Sequence, residues 1–178
     1  QLGICELSKL KGVYDKLLRQ NKSGNVQGIA QVHQDIAEQN PAGAFLCGYP
    51  VFREICRLQV RKTARFDENE YILLLTLKAG EYTGSKVSDV NLFRIRNAMP
   101  HLVETLKKSL RPGDAVAQFS DSQYVILLSA CTYEGGMLVA NRIISKFYQD
   151  NKIYRNLKIK INIEKVKTTE NILSKYTG

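Results

Sequence analysis

Several of the residues that catalytic and stapled proteins depend on are scarce in this sequence. It has two histidines, His33 and His101, and four cysteines, Cys5, Cys47, Cys56 and Cys131, with no Cys-x-x-Cys spacing. A structural zinc site needs four clustered ligands, so no metal site is expected, and the cysteines read as reduced thiols of a cytoplasmic protein. Neither histidine lies near a nucleophile-elbow sequence; both read as structural or solvated. There is no Walker A sequence and no Gly-x-Gly-x-x-Gly. The pair Gly135-Gly136 reads as the start of a helix and not as a phosphate loop. No apolar run approaches the roughly 20 residues needed to cross a bilayer, and the opening QLGICELSKLKG lacks the apolar centre of a signal peptide. The chain opens on Gln1 and not Met, so a piece of a larger protein is expected.

What is present describes a soluble α/β chain. Its 178 residues suit one domain with a short extension. With 44% hydrophobic and 24% charged residues it can bury a core without staples. The net charge is +9, from 26 basic and 17 acidic residues. That favours anionic partners such as nucleotides or nucleic acid; a solvated basic surface is the plainer alternative.

Apolar spacing predicts helices over 7–19 and, more briefly, 26–38, separated by the turn-rich NKSGN. Residues 1–42 form a helical extension or the end of a preceding domain, and 43–178 the main domain. From Tyr49, helical spacing places Phe52, Ile55 and Leu58 on one side, while Arg53, Arg57, Arg61 and Arg65 recur every fourth residue. DENE at 67–70 reads as a polar connection. YILLLTL at 71–77 reads as a strand covered on both faces. A long helix follows over 88–109, with Leu92, Ile95, Met99, Leu102, Val103, Leu106 and Leu110 at helical periods and Ser88 or Asp89 as cap. AVAQF and YVILLS, separated by SDSQ, read as a hairpin. A helix is predicted over about 135–149, an alternating strand over 157–166, and a short helix in TTENILSKYT. Leu157, Ile159, Ile161 and Ile163 line the buried side of that strand, and Lys158, Lys160, Asn162 and Glu164 the polar side. The order gives α/β or α+β around a central sheet.

The segment LKKSLRPGDAVAQFSDSQYVILLSACTYEGGMLVANRI resembles GGDEF domains, the catalytic domains of diguanylate cyclases. In that family an RxxD motif stands five residues before the GGDEF hairpin. Here Arg111-Pro112-Gly113-Asp114 matches RxxD, and Ser120-Asp121-Ser122-Gln123-Tyr124 occupies the hairpin position. Phe52 and Arg53 fit the family's opening helix and INIEKV its late strand, so the likeness covers about residues 45–178. The resemblance implies a nucleotide-cyclase-like sheet flanked by helices.

It also implies lost chemistry. The family's two glycines let backbone approach GTP; Ser120 and Asp121 add β-carbons and a negative charge. The family's acidic fourth position helps hold metal; Gln123 is neutral and a poor Mg²⁺ ligand. Where the family's first strand ends in a metal-binding aspartate, this chain has Thr76-Leu77-Lys78. Phosphoryl transfer rests on positioning and metal, so the expectation is a degenerate GGDEF domain that is not an enzyme, with no catalytic residue, metal or cofactor.

Three roles remain open at this point. In the family RxxD binds cyclic di-GMP, so Arg111 and Asp114, with Arg142 as a second arginine, form a candidate nucleotide site; arginine's planar fork suits phosphate and guanine edges. An Arg–Asp pair at a helix-to-strand turn could equally be structural. A second role is a dimerisation module of a transcriptional regulator: Val13-Tyr14-Asp15-Lys16-Leu17-Leu18 resembles a helix of bacterial transcriptional activator domains, and GAFLCGYPVF resembles a linker in such regulators. DNA would then be bound by domains outside this chain. The third is nonspecific nucleic-acid binding by the arginine stripe and the Lys158/Lys160 strand, without aromatic platforms for bases.

Overall fold

The computed structural model describes residues 28–37, 42–66, 69–79 and 87–166. The chain divides into two units, Gln1–Asn40 and Pro41–Gly178. In the first, helix α1 (Ile29–Ile36) is described, and all of its residues are exposed, Ile29, Val32 and Ile36 among them. The helices expected over 7–19 and in TTENILSKYT lie outside the described residues.

The second unit runs β1 (Phe45–Leu46), α2 (Tyr49–Phe66), β2 (Tyr71–Ala79), α3 (Val87–Ser109), β3 (Ala115–Ser120), β4 (Gln123–Leu128), α4 (Tyr133–Asp150), a 3₁₀ turn (Lys152–Tyr154) and β5 (Leu157–Lys165). The strands form one mixed sheet in the order β1-β3-β4-β2-β5, with β1 parallel to β3 and the other pairs antiparallel. The α+β architecture expected from the sequence is the one observed.

Strand alternation divides the core between two faces of the sheet. On one face Leu73, Leu75 and Leu77 of β2, Val116 of β3 and Tyr124, Ile126 and Leu128 of β4 pack against Ile95, Ala98, Met99, Leu102 and Leu106 of α3 and Ala140, Ile143 and Phe147 of α4. On the other, Phe52 of α2 meets Ala115, Ala117, Val125 and Leu127, with Ile55, Cys56, Ile72 and Leu74 at the margin. Helix α2 thus covers the β3–β4 side of its face. Strand β5 is an edge strand whose Lys158, Lys160, Asn162 and Glu164 are exposed. Its lysines oppose edge pairing, as the alternation implied.

Some expectations need correction. Leu58 and Leu92 are exposed: they sit at the flank of their helices' apolar stripes, where the sheet does not reach. Glu70, expected in a polar connection, is buried at the start of β2. Helix α4 begins at Tyr133, two residues earlier than its glycines suggested, because Thr132 caps it: its Oγ1 accepts from the Gly135 N–H at 3.1 Å. The SDSQ turn shrinks to Asp121-Ser122, since Ser120 and Gln123 pair as strand residues. Strand β1 was not foreseen in the segment read as a linker. Gly43, just before it, has φ +73°, and a β-carbon there would stand 2.3 Å from the Lys107 carbonyl oxygen, a position only glycine can fill.

Cys47, Cys56 and Cys131 are free thiols. Burial under α2, with Cys47 and Glu70 nearby, pushes the Cys56 thiol up to about 11. At pH 8 it is therefore almost wholly protonated, and iodoacetamide should label it about a hundredfold more slowly than an unperturbed thiol. Peptide mass spectrometry over a labelling time course checks this; labelling of Cys56 at the rate of a free peptide thiol would contradict the packing of α2.

Candidate functional site

The residues singled out in the sequence fall at opposite ends of the sheet. At one end is the α3–β3 corner. Helix α3 ends at Ser109, and Arg111-Pro112-Gly113-Asp114 turns the chain into β3, with Gly113 at φ +114° and the Asp114 N–H donating to the Arg111 carbonyl at 3.1 Å. Asp114 points inward, its side chain 4% exposed. Its Oδ2 accepts from the Arg111 N–H at 3.2 Å and its Oδ1 from the Ser129 N–H at 3.4 Å. The carboxylate ties the turn to the end of β4, and Ser129 Oγ returns a bond to the Gly113 carbonyl at 2.9 Å.

Arg111 lies over this corner with its side chain 61% exposed. Its Nη2 donates to the Ser129 carbonyl and, at 3.3 Å, to that of Ala130; its Nε is 3.6 Å from Asp114 Oδ1. Ala130 has φ +44°, a conformation unusual outside glycine, and Arg111 holds the carbonyls on both sides of that peptide link. Arg142, from α4, donates through Nη2 to the Ser109 carbonyl at 2.7 Å. It thereby satisfies one of the acceptors left open at the end of α3. The three residues do meet at one corner, and each is engaged with the protein's own backbone. Both Asp114 oxygens accept from backbone N–H groups and its side chain is nearly closed to solvent, so in this structure it holds the turn. The arginine-to-carbonyl bonds run through Nη2, and both arginines are exposed.

The other end carries the β3–β4 hairpin. Ser120 Oγ donates to Gln123 Oε1 at 3.1 Å and accepts from the Ser122 N–H at 3.3 Å, while Gln123 Nε2 donates to Thr76 Oγ1 at 3.0 Å. Thr76 and Gln123 are direct cross-strand partners. The Leu77 N–H donates to the Ser122 carbonyl at 2.8 Å, joining the hairpin tip to β2. Asp121 turns away to Arg96 of α3, 2.9 Å from its Nη2. Tyr124 is buried and donates through its hydroxyl to the Met99 carbonyl at 3.4 Å; burial raises its phenol above the ordinary value. Apart from Asp121, which pairs with Arg96, the hairpin tip is thus an uncharged network of serine, glutamine and threonine.

By sequence, no family model and no curated protein matches this chain. By structure, it is similar to a DGC protein from Thermotoga maritima, with a TM-score of 0.52 and 12% identity over 75% of this chain and 93% of that one. It is similar also to the FimX GGDEF domain from Pseudomonas aeruginosa, with a TM-score of 0.53 and 13% identity over 78% of this chain and 88% of that one. The fold is that of a GGDEF domain. The diguanylate cyclase SiaD from Pseudomonas aeruginosa, solved with its activator SiaC, aligns with a TM-score of 0.52 and 8% identity, covering 96% of this chain and 64% of that one. At these identities the likeness is one of fold, and the GGDEF fold sets where a site would lie without assigning it chemistry.

A diguanylate cyclase needs Mg²⁺, and the donor set at the hairpin does not fit that ion. Mg²⁺ wants carboxylate oxygens in octahedral geometry. The two positions where the GGDEF resemblance expects carboxylates are Thr76 and Gln123: Gln123 Nε2 donates to Thr76 Oγ1, and Gln123 Oε1 accepts from Ser120. Among the described residues no group of three His, Cys, Asp or Glu is placed to hold a metal. The arginine stripe of α2 is a solvent face where described: Arg53, Arg57 and Arg61 are exposed, and the first two meet Glu54 at 3.6 and 2.7 Å. No helix among the described residues is long and apolar enough to cross a membrane.

Proposed function

We propose that this chain is a non-catalytic GGDEF-fold module that serves regulation in a signalling protein. The observation that carries the reading is the Ser120–Gln123–Thr76 network. Uncharged side chains that satisfy one another stand where metal-bound phosphates would be gathered, and catalysis of phosphoryl transfer is almost wholly positioning and charge neutralisation.

The narrower part of the proposal concerns the α3–β3 corner. The exposed guanidinium groups of Arg111 and Arg142 are offered to cyclic di-GMP or a related guanine nucleotide, on a turn that Asp114 keeps in shape. The roles of the RxxD residues thus divide: arginine reads, aspartate scaffolds.

One experiment addresses both parts. The chain is incubated with GTP and Mg²⁺ and assayed for cyclic di-GMP, then titrated with cyclic di-GMP by calorimetry alongside Arg111→Ala. We expect no product, and a binding heat that Arg111→Ala abolishes. Turnover would overturn the non-catalytic reading. Absence of heat at high micromolar ligand, or a heat unchanged in Arg111→Ala, would overturn the nucleotide reading and leave the corner a structural turn.

A further inference from the structure

We propose that the open face formed by β2 and β5 binds a polyphosphate group without a divalent metal. In the β2–β5 register Lys78 stands directly opposite Lys158, and Lys160 stands opposite Thr76. Directly opposed residues of an antiparallel pair share a face, with Cβ atoms about 5 Å apart and diagonal neighbours about 7–8 Å apart. All three lysines are exposed. They lie on the α2 side of the sheet, beyond the part of that face where Phe52 packs.

Like charges placed directly opposite weaken a strand pair, and a neighbouring carboxylate would ordinarily offset this. Among the described residues none of the ion pairs includes Lys78, Lys158 or Lys160. The adjoining polar groups on this face are Thr76 and Gln123, neutral and bonded to each other, and Asn162. Glu164 shares the face but lies four residues from Lys160, about 13 Å along the strand. The patch is therefore cationic, without the acidic groups that would repel an anion or recruit a metal to it.

The dimensions favour a short polyphosphate over a nucleic acid. Three ammonium groups within one cross-strand diagonal match two or three linked phosphates. They do not form the extended track that a nucleic-acid backbone needs, and none of the β2 and β5 residues on this face is an aromatic on which a base could stack. Lysine suits the task as a flexible point charge. In this arrangement the lysines take over the charge neutralisation that metal ions supply elsewhere in phosphate chemistry. The site is separate from Arg111: the Arg111 turn adjoins Ser129, next to the Leu128–Tyr71 pair, and Lys78 is seven residues further along β2, about 23 Å away.

The test is calorimetric titration of the full chain with inorganic tripolyphosphate at low salt in EDTA, in parallel with GTP. The comparison proteins are a triple variant, Lys78→Gln with Lys158→Gln and Lys160→Gln, and Arg111→Ala. We expect saturable binding by the native chain and by Arg111→Ala, weakened at least about tenfold in the triple variant, a loss of more than 1.4 kcal/mol. Salt should weaken it through screening, and excess Mg²⁺ should weaken it by competing for the phosphate oxygens. Equal affinity for tripolyphosphate and GTP would assign the site to phosphates alone; tighter GTP binding would add nucleoside contacts. The triple variant removes opposed charges, so it should melt no lower than the native chain. Absence of saturable binding in EDTA, retention of binding by a folded triple variant, or a strict need for Mg²⁺ would overturn the proposal.

Discussion

Asp114→Ala should destabilise the protein by about 2–4 kcal/mol, because it strips a buried acceptor from two backbone N–H groups and leaves them without partners. Those donors are the N–H groups of Arg111 and Ser129. The carboxylate is also the anchor over which Arg111 folds, with Nε 3.6 Å from Oδ1. Thermal melting should fall by about 5–12 °C for a chain of this size. Asp114→Asn should recover only part of this, since an amide offers one acceptor oxygen and turns an NH₂ toward a donor. Arg111→Ala should cost less, because its side chain is largely in solvent and a pair with one exposed member contributes little. A loss under about 1 kcal/mol for Asp114→Ala would show that the carboxylate does not close the corner as described. Losses of equal size from both variants would instead point to Arg111 as an equal structural partner and weaken its assignment to a ligand.

The second large effect is expected at Phe147. Its side chain is fully buried on α4 against the sheet, with its ring 6.1 Å from and nearly parallel to that of Tyr154 and edge-on to Tyr148 at 5.5 Å. Phe147→Ala removes a ring from a packed core that cannot collapse around the gap, and should cost about 3–5 kcal/mol. Urea denaturation is the direct measure: the midpoint should drop while the slope stays the same. Tyr154 is tethered through its hydroxyl to the Asn97 carbonyl at 3.1 Å, so it is held back from filling the hole. A loss below 1.5 kcal/mol, the range of a volume-conserving swap, would contradict the seating of α4.

The strands and helices of the main unit were legible because each had its own period. The continuous run of β2 and the alternation of β5 show in the residues themselves, and β5 proved to have its lysines outward as that pattern required. Boundaries were less legible where one hydrogen bond decides them. Thr132 starts α4 through its side chain, and a two-residue turn pulls Ser120 and Gln123 into the strands. Strand β1 escaped notice because two residues have no period; it exists because the Phe45 N–H and the Cys47 N–H find the Asp114 and Val116 carbonyls on β3. The candidate site was half visible. Residue types alone gave reason to doubt metal binding at Thr76 and Gln123, but they could not reveal that the two bond each other.

What the sequence by itself determined is the list of elements and the chemical character of each position, since periodicity and side-chain charge are local properties of the chain. Only the tertiary structure decided which of those positions meet. Register set Lys78 against Lys158 and Thr76 against Gln123. The turn after α3 sent Asp114 inward and left Arg111 outside. Such pairings depend on residues tens of positions apart being brought side by side by burial of the two faces of one sheet, and a linear pattern carries no record of that.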